Sequence, residues 1–169
     1  MAGFRTITAA GFAATAITYG PARMGFGLFL SDLRSAFDLS AGTAGLISAL
    51  GFLGFLAALP AGYRAAARFS PRAPVVAGLT AATAGLALVA AAQTLIVLAA
   101  GAVLAMSSAG FSWAPFNAAV NRRLPSRLRP HALSAISTGT SLGVAAAGAA
   151  ALVVDASGAG WRASWAGFA

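Results

Sequence analysis

Long apolar runs of about 20 residues alternate along the chain with short segments that carry most of the charge. The runs cover residues 7–30, 41–63, 73–92, 95–120 and 132–154, and a further run begins near Trp161. A helix of about 20 apolar residues crosses the hydrocarbon core of a bilayer. Because the runs do not alternate between polar and apolar residues, they predict helices and not the strands of a β-barrel. We therefore predict an all-α integral membrane protein with five transmembrane helices and the start of a sixth.

Composition identifies lipid as the medium around these helices. Hydrophobic residues make up 59% of the 169 residues, charged residues make up 8%, and the mean hydropathy is +0.83. Soluble domains carry about 25% charged residues, so this chain has too little polar surface to cover a soluble globule. We expect the lipid bilayer to be a principal partner.

Arginines divide unevenly between the two ends of the predicted helices. If successive helices alternate in direction, one side carries eight arginines: Arg5, Arg64, Arg68, Arg72, Arg122, Arg123, Arg127 and Arg129. The other side carries Arg34 and Arg162, together with Asp32, Asp38 and Asp155. Basic residues in short loops resist translocation across the membrane. The pattern predicts an integral protein of the bacterial plasma (inner) membrane with a cytoplasmic N-terminus.

Few side chains offer reactive chemistry. The chain has no cysteine, a single histidine at position 131 and three acidic residues, which excludes thiol chemistry and provides no cluster with metal-ligand spacing. The net charge of +8 comes from loop arginines without interleaved aromatic residues, so nucleic-acid binding is not predicted. We predict no cofactor, no metal and no enzymatic activity.

The first apolar run contains a helix breaker and an ionisable group. Gly20 and Pro21 favour a kink, and Arg23 follows them directly. An arginine at a helix centre costs about 2.5 to 3.5 kcal/mol on insertion scales, so Arg23 is expected to avoid lipid. Two interpretations are open: Arg23 faces a solute pathway, or it snorkels to the outer interface roughly 10 Å away. Tyr19, at i−4, shares its face and has either a pathway role or a structural one.

The fourth run carries a second polar face. Trp113, Asn117 and Asn121 recur every four residues and so project from one side of a helix, which Pro115 is expected to bend. Asn117 either bonds to a neighbouring helix or contacts a solute. The candidate pathway residues are therefore Tyr19, Arg23, Trp113 and Asn117.

Glycines mark the expected contacts between helices. Lipid tails are as apolar as leucine, so membrane helices associate by close packing, which small residues permit. Gly51 with Gly54, Gly139 with Gly143, and Gly143 with Gly148 have the spacing of such contact faces. An alternative function follows from the same residues: a small membrane scaffold or assembly protein that binds partner helices through its glycine-rich faces.

The layout of spans and loops resembles the N-terminal half of the major facilitator superfamily of secondary transporters. The segment from Gly62 to Arg72 is similar to the basic turn of that family after its second span, although it has no acidic residue. Gly139, Gly143 and Gly148 resemble its glycine series in span five, and the segment from Gly160 to Trp165 resembles the beginning of span six.

This resemblance implies secondary active transport of a small solute by alternating access. It implies a cytoplasmic gating loop that contains Gly62, Arg64, Arg68 and Arg72. An anion is the solute class that Arg23 would neutralise. The resemblance also leads us to expect that residues 1–169 form a single helical bundle. We expect this bundle to be an incomplete half that works with a second transporter half or with partner helices.

Overall fold

The computed structural model describes residues 2–158 and 160–169, with all of their side chains except those of Ala2 and Asp155. Within these ranges the backbone forms α-helices and short 3₁₀ turns, with no strand. The α-helices are α1 Ala2–Tyr19, α2 Pro21–Leu28, α3 Leu30–Phe37, α4 Ala41–Arg68, α5 Ala73–Ala91, α6 Leu95–Ser108, α7 Trp113–Arg123, α8 Arg129–Ser157 and α9 Trp161–Phe168. The predicted all-α class is confirmed.

Four helical stretches among the described residues are long and apolar enough to cross a membrane. They are Ala41–Arg68, Ala73–Ala91, Leu95–Arg123 and Ser126–Val154, and they correspond to the predicted spans two to five. The predicted start of a sixth span is the short helix α9, which begins at Trp161.

The first predicted span, 7–30, is not one helix. It is divided between α1, α2 and the beginning of α3. The interruption at Gly20 is a kink and not a gap, because the Gly20 amide still bonds to the Ala16 carbonyl at 3.0 Å. The amide of Met24 likewise bonds to the Gly20 carbonyl at 2.9 Å, so the helical hydrogen bonding continues. Together α1 and α2 are about 40 Å long, enough to cross the hydrocarbon core.

The second span is longer than predicted. We expected it to end at residue 63 and a loop to follow, but α4 continues to Arg68. The prediction that Gly62, Arg64 and Arg68 lie in a loop is therefore wrong, and only Arg72 lies outside α4. The alanines at 65–67 favour helix, and arginine stems keep their charged heads in water from a helix end. Pro71 disfavours helix at the residue before it, which explains the turn that follows.

The fourth span is interrupted near its middle. A 3₁₀ turn at Ala109–Phe111 separates α6 from α7. Phe111 sits between two neighbouring helices: a Cβ added at Gly62 of α4 would lie 3.3 Å from its ring, and one at Gly78 of α5 would lie 2.9 Å from its side chain. The two glycines therefore make room for the interruption.

The helices alternate so that most arginines gather at one end of the bundle. Thr6 near the start of α1, Arg72 before α5 and Arg122 of α7 line the same groove. We call this the basic end; it comprises the start of α1, the α4–α5 turn and the α7–α8 connection. At the opposite end the rings of Phe37 and Trp161 are 6.0 Å apart. There the Arg162 guanidinium donates to the Ala92 carbonyl at 2.6 Å and ties α9 to the end of α5.

Close contacts at glycine hold the bundle together. A Cβ at Gly139 of α8 would lie 2.5 Å from the Phe12 carbonyl of α1, and one at Gly85 of α5 would lie 2.5 Å from the Ala105 amide of α6. Gly51 and Gly143 also meet neighbouring helices, as predicted, whereas a Cβ at Gly148 would meet nothing within 4 Å. The predicted contact face therefore stops before Gly148.

Candidate functional site

Arg23 lies just beyond the kink of the first span. Pro21 occupies the first turn of α2, where its fixed φ angle suits the start of a helix. Side chains on a helix lean toward its N-terminus, so the Arg23 side chain runs back over the turn that contains Tyr19. The sequence thus directs this arginine away from the outer end of its helix.

Three aromatic rings surround the Arg23 guanidinium. Its central carbon lies over the ring of Phe55 at 4.0 Å from the centroid, with Phe52 at 5.1 Å and Tyr19 at 5.3 Å. The Tyr19 and Phe55 rings meet edge to face, with centroids 6.4 Å apart. We call Tyr19, Arg23, Phe52 and Phe55 the Arg23 cluster. It joins the first span to α4.

The Arg23 cluster lies near the middle of α4. Phe55 is the fifteenth of the 28 residues of α4, and Phe52 lies one turn nearer the start of that helix. Because the guanidinium sits over these rings, it does not extend toward the outer interface. The guanidinium is therefore directed at the rings of Tyr19, Phe52 and Phe55.

Cation–π contacts explain how an arginine is tolerated at this depth. Each such contact is worth about 0.5 to 1 kcal/mol at an exposed site and about 2 kcal/mol or more when desolvated. Three rings within 6 Å therefore offset much of the penalty of about 2.5 to 3.5 kcal/mol for a mid-membrane arginine.

The rings leave the hydrogen-bonding groups of Arg23 without a partner among the described residues. A guanidinium has five N–H donors, which point outward in its own plane, whereas a ring face attracts its charge. Among the described residues, no carbonyl, hydroxyl or carboxylate accepts a hydrogen bond from Arg23. The carboxyl group of Asp155 lies outside the described part of the chain. The cluster thus presents a cation that retains its donors, beside apolar rings.

The other pathway candidates, Trp113 and Asn117, lie apart from the Arg23 cluster. Trp113 packs beside the buried group of α1, α7 and α8, which includes Ala14 and Ile136. Within residues 2–158 and 160–169, no ring or cation contact joins Trp113 to the cluster. The side-chain amide oxygen of Asn117 accepts a hydrogen bond from the side-chain amide of Asn121 at 2.7 Å, so this bond runs along α7 and not to a neighbouring helix.

The residues assigned to a gating loop have different environments. Gly62 is buried, and Arg64 is exposed on the same stretch of α4. The Arg68 guanidinium lies 5.9 Å from the ring of its neighbour Phe69. Arg72 precedes α5 and faces a groove that it shares with Arg122.

Phe52 and Phe55 belong to the site but are not among the residues that the sequence analysis predicts for it. Their spacing of three places both rings on one face of α4, and this is the signal that was available. An arginine inside one apolar span needs a compensating partner, and aromatic residues paired on another span are suitable. What the sequence does not contain is the information that these two spans face each other.

Comparison with known proteins gives one family. The sequence profile of the Major Facilitator Superfamily matches residues 11–169. No curated protein matches the chain at a significant level.

Proposed function

The chain belongs to the major facilitator superfamily, and we propose that it moves a small anionic solute across a membrane by alternating access. Membrane transport is the general activity of this family. The observation that carries the finer proposal is the Arg23 guanidinium beside the middle of α4, packed on rings and without a hydrogen bond to any described side chain or carbonyl. In such transporters the solute binds near the bilayer midplane.

The chemistry of the Arg23 cluster favours a carboxylate or a similar planar anion. Two parallel N–H groups of a guanidinium bind the two oxygens of a carboxylate, a geometry that an ammonium does not provide. The apolar surroundings strengthen this attraction because they lower the local dielectric constant. The rings of Tyr19 and Phe52 would then contact the apolar part of the solute.

The two interrupted spans support the same location. Halves of this superfamily contain two three-helix units related by an inverted repeat, so span one corresponds to span four. These are the spans that carry kinks, at Gly20 and at Ala109–Phe111. Interrupted helices in corresponding positions point to a binding site. We therefore keep Trp113 and Asn117 of span four as proposed pathway residues, separate from the Arg23 cluster.

We propose that the solute is held between this bundle and a second one, which rocks against it. The basic segment with Gly62, Arg64, Arg68 and Arg72 is the part we expect at the cytoplasmic gate. The scaffold alternative is less well supported, because Gly51, Gly85, Gly139 and Gly143 are already used in contacts within the chain.

Orientation can be tested directly because the chain has no cysteine. We propose a plasma-membrane protein with the basic end in the cytoplasm. A single cysteine at Gln93, in the α5–α6 connection, should react with a membrane-impermeant maleimide in intact cells. A cysteine at Ser126, in the α7–α8 connection, should react only after lysis. The reverse pattern would contradict the proposed orientation.

Solute class can be tested with isosteric pairs. Benzoate and succinate should raise the thermal unfolding midpoint of the purified chain, because each offers a carboxylate to Arg23. Their neutral amides, benzamide and succinamide, are matched in shape and should have little effect. Equal stabilisation by acid and amide would contradict an anionic solute.

A further inference from the structure

An apolar groove opens at the basic end of the bundle, away from the Arg23 cluster. It has a volume of about 350 Å³ and lies between α1, α5 and α7. Its walls include Ile7 and Ala10 of α1, Val75 and Val76 of α5, and Phe116 and Ala119 of α7. Val76 is 61% exposed, so this wall is not covered by the described part of the chain.

Three arginines line the end of this groove: Arg72, Arg122 and Arg123. The chain has only three acidic residues, Asp32, Asp38 and Asp155. The first two belong to α3 and its C-terminal cap, and Asp155 lies in the last turn of α8, whose first turn is at the basic end. Among the described side chains, no carboxylate is therefore placed to neutralise the three guanidinium groups.

On both α5 and α7, the arginine of the groove lies nearer the end of the bundle and an apolar residue lies deeper. Val76 follows Arg72 by four residues, and Ala119 precedes Arg123 by four, so each apolar residue lies one turn, about 6 Å, inward of an arginine. Arg72 is the N-cap residue of α5, whose Ala73 amide donates to the Ser70 hydroxyl at 3.3 Å, and the positive end of the helix dipole adds to the charge there.

We propose that this groove binds an anionic phospholipid, with the phosphate on the three arginines and an acyl chain along the apolar wall. A free anion would leave the wall uncovered, and a neutral lipid would leave the arginines unpaired. Only an amphiphile with an anionic head matches both parts in the observed order. Basic pockets between helices at the membrane surface are suited to such head groups.

Native mass spectrometry of the purified chain measures which lipids it retains. Phosphatidylglycerol and phosphatidylcholine with the same acyl chains are added in equal amounts, and phosphatidylglycerol should be retained preferentially. The triple variant R72Q/R122Q/R123Q should lower the affinity for phosphatidylglycerol on the order of a hundredfold, because each basic residue near the head group contributes about fivefold.

A matched triple variant separates a site from general surface charge. R64Q/R68Q/R127Q removes the same number of charges from exposed residues that do not line the groove. It should change the affinity by no more than about threefold, because salt screens exposed charges that do not contact the head group. Equal losses in the two triple variants would overturn the proposal. If the groove triple variant does not fold, R122Q alone should lower the affinity about fivefold, and an unchanged affinity would overturn the proposal.

The source of the phosphate is tested by competition. Glycerol phosphate has the anionic head without the acyl chain, and should displace phosphatidylglycerol only at far higher concentration. Displacement at equal concentration would assign the groove to a free anion and overturn the lipid proposal. This result does not bear on solute recognition by the Arg23 cluster, which shares no residue with the groove, although Arg72 belongs both to the groove and to the proposed gate.

Discussion

The Arg23 cluster and the groove at the basic end use the same side chain in opposite surroundings. Arg23 is a single cation beside the middle of α4, in contact with three rings. Arg72, Arg122 and Arg123 are grouped at the end of the helices, where each of them is exposed. The groove arginines have access to water in the free protein, whereas Arg23 depends on aromatic contacts for much of its stabilisation.

The comparison shows that the surroundings of an arginine, and not its presence in an apolar chain, indicate its role. Water and lipid head groups satisfy a guanidinium at the membrane surface with little demand on the fold. At mid-depth the protein must supply the compensation, and it does so through residues of another helix. Such an arrangement constrains two spans at once, which is why we propose the solute site there.

The largest difference between the two regions should follow from reversal of charge. Arg23→Glu would place a carboxylate against the negative faces of the rings and remove the cation–π contacts, and should lower the free energy of unfolding by about 3 kcal/mol. Arg122→Glu, at the exposed end, should have a much smaller effect. Denaturant titration in mixed micelles measures both. Similar losses for the two variants would contradict the comparison.

The kink that positions Arg23 should be the next most sensitive feature. A Cβ at Gly20 would lie 2.5 Å from the Gly143 carbonyl carbon of α8. Gly20→Ala should therefore lower the free energy of unfolding by about 2 kcal/mol, a typical result of overpacking. Gly27→Ala is the matched control, because a Cβ there meets nothing within 4 Å. Equal stability of the Gly20→Ala and Gly27→Ala variants would contradict the claim that the close contact at Gly20 requires glycine.

Loss of one ring should have the smallest effect of the three. Phe55→Leu keeps an apolar side chain but removes the ring nearest to Arg23, and should lower the free energy of unfolding by about 1 kcal/mol. Phe55→Tyr keeps a ring face and should retain most of the stability. Phe69→Leu is the control, since Arg68 lies 5.9 Å from the Phe69 ring at an exposed site. Equal losses of unfolding free energy in Phe55→Leu and Phe69→Leu would show that the Arg23–Phe55 contact is no stronger than the exposed Arg68–Phe69 contact.

Hydropathy predicted most of the fold because the membrane imposes a strict length on apolar helices. It failed at helix ends such as Arg68, where the helix continues past the apolar region into water. Hydropathy also gave a single continuous segment for the first span, whereas the kink at Gly20 separates α1 from α2. The breaker for that kink, Gly20 with Pro21, is visible in the sequence. Apolar length therefore locates a span better than it locates the ends of its helices.

The candidate site was only partly predictable. Arg23 and Tyr19 share one face by their spacing of four, and the structure brings them together. Phe52 and Phe55 belong to another span, and their contact with Arg23 depends on how the two spans pack. Asn117 illustrates the same limit, because its partner Asn121 lies on its own helix and not on a neighbour. Spacing within a helix was informative, whereas pairing between helices was not.

The central claim is that Arg23 recognises the anionic group of the solute. Its most direct test is the affinity ratio of benzoate to benzamide, measured by calorimetry for the unmodified chain, Arg23→Gln and the control Arg34→Gln. A charge-assisted hydrogen bond is worth about 1.5 to 3 kcal/mol, so Arg23→Gln should lower the ratio at least tenfold. Arg34→Gln changes an arginine in the last turn of α3, outside the Arg23 cluster, and should leave the affinity ratio unchanged. An unaltered ratio in Arg23→Gln would contradict the account.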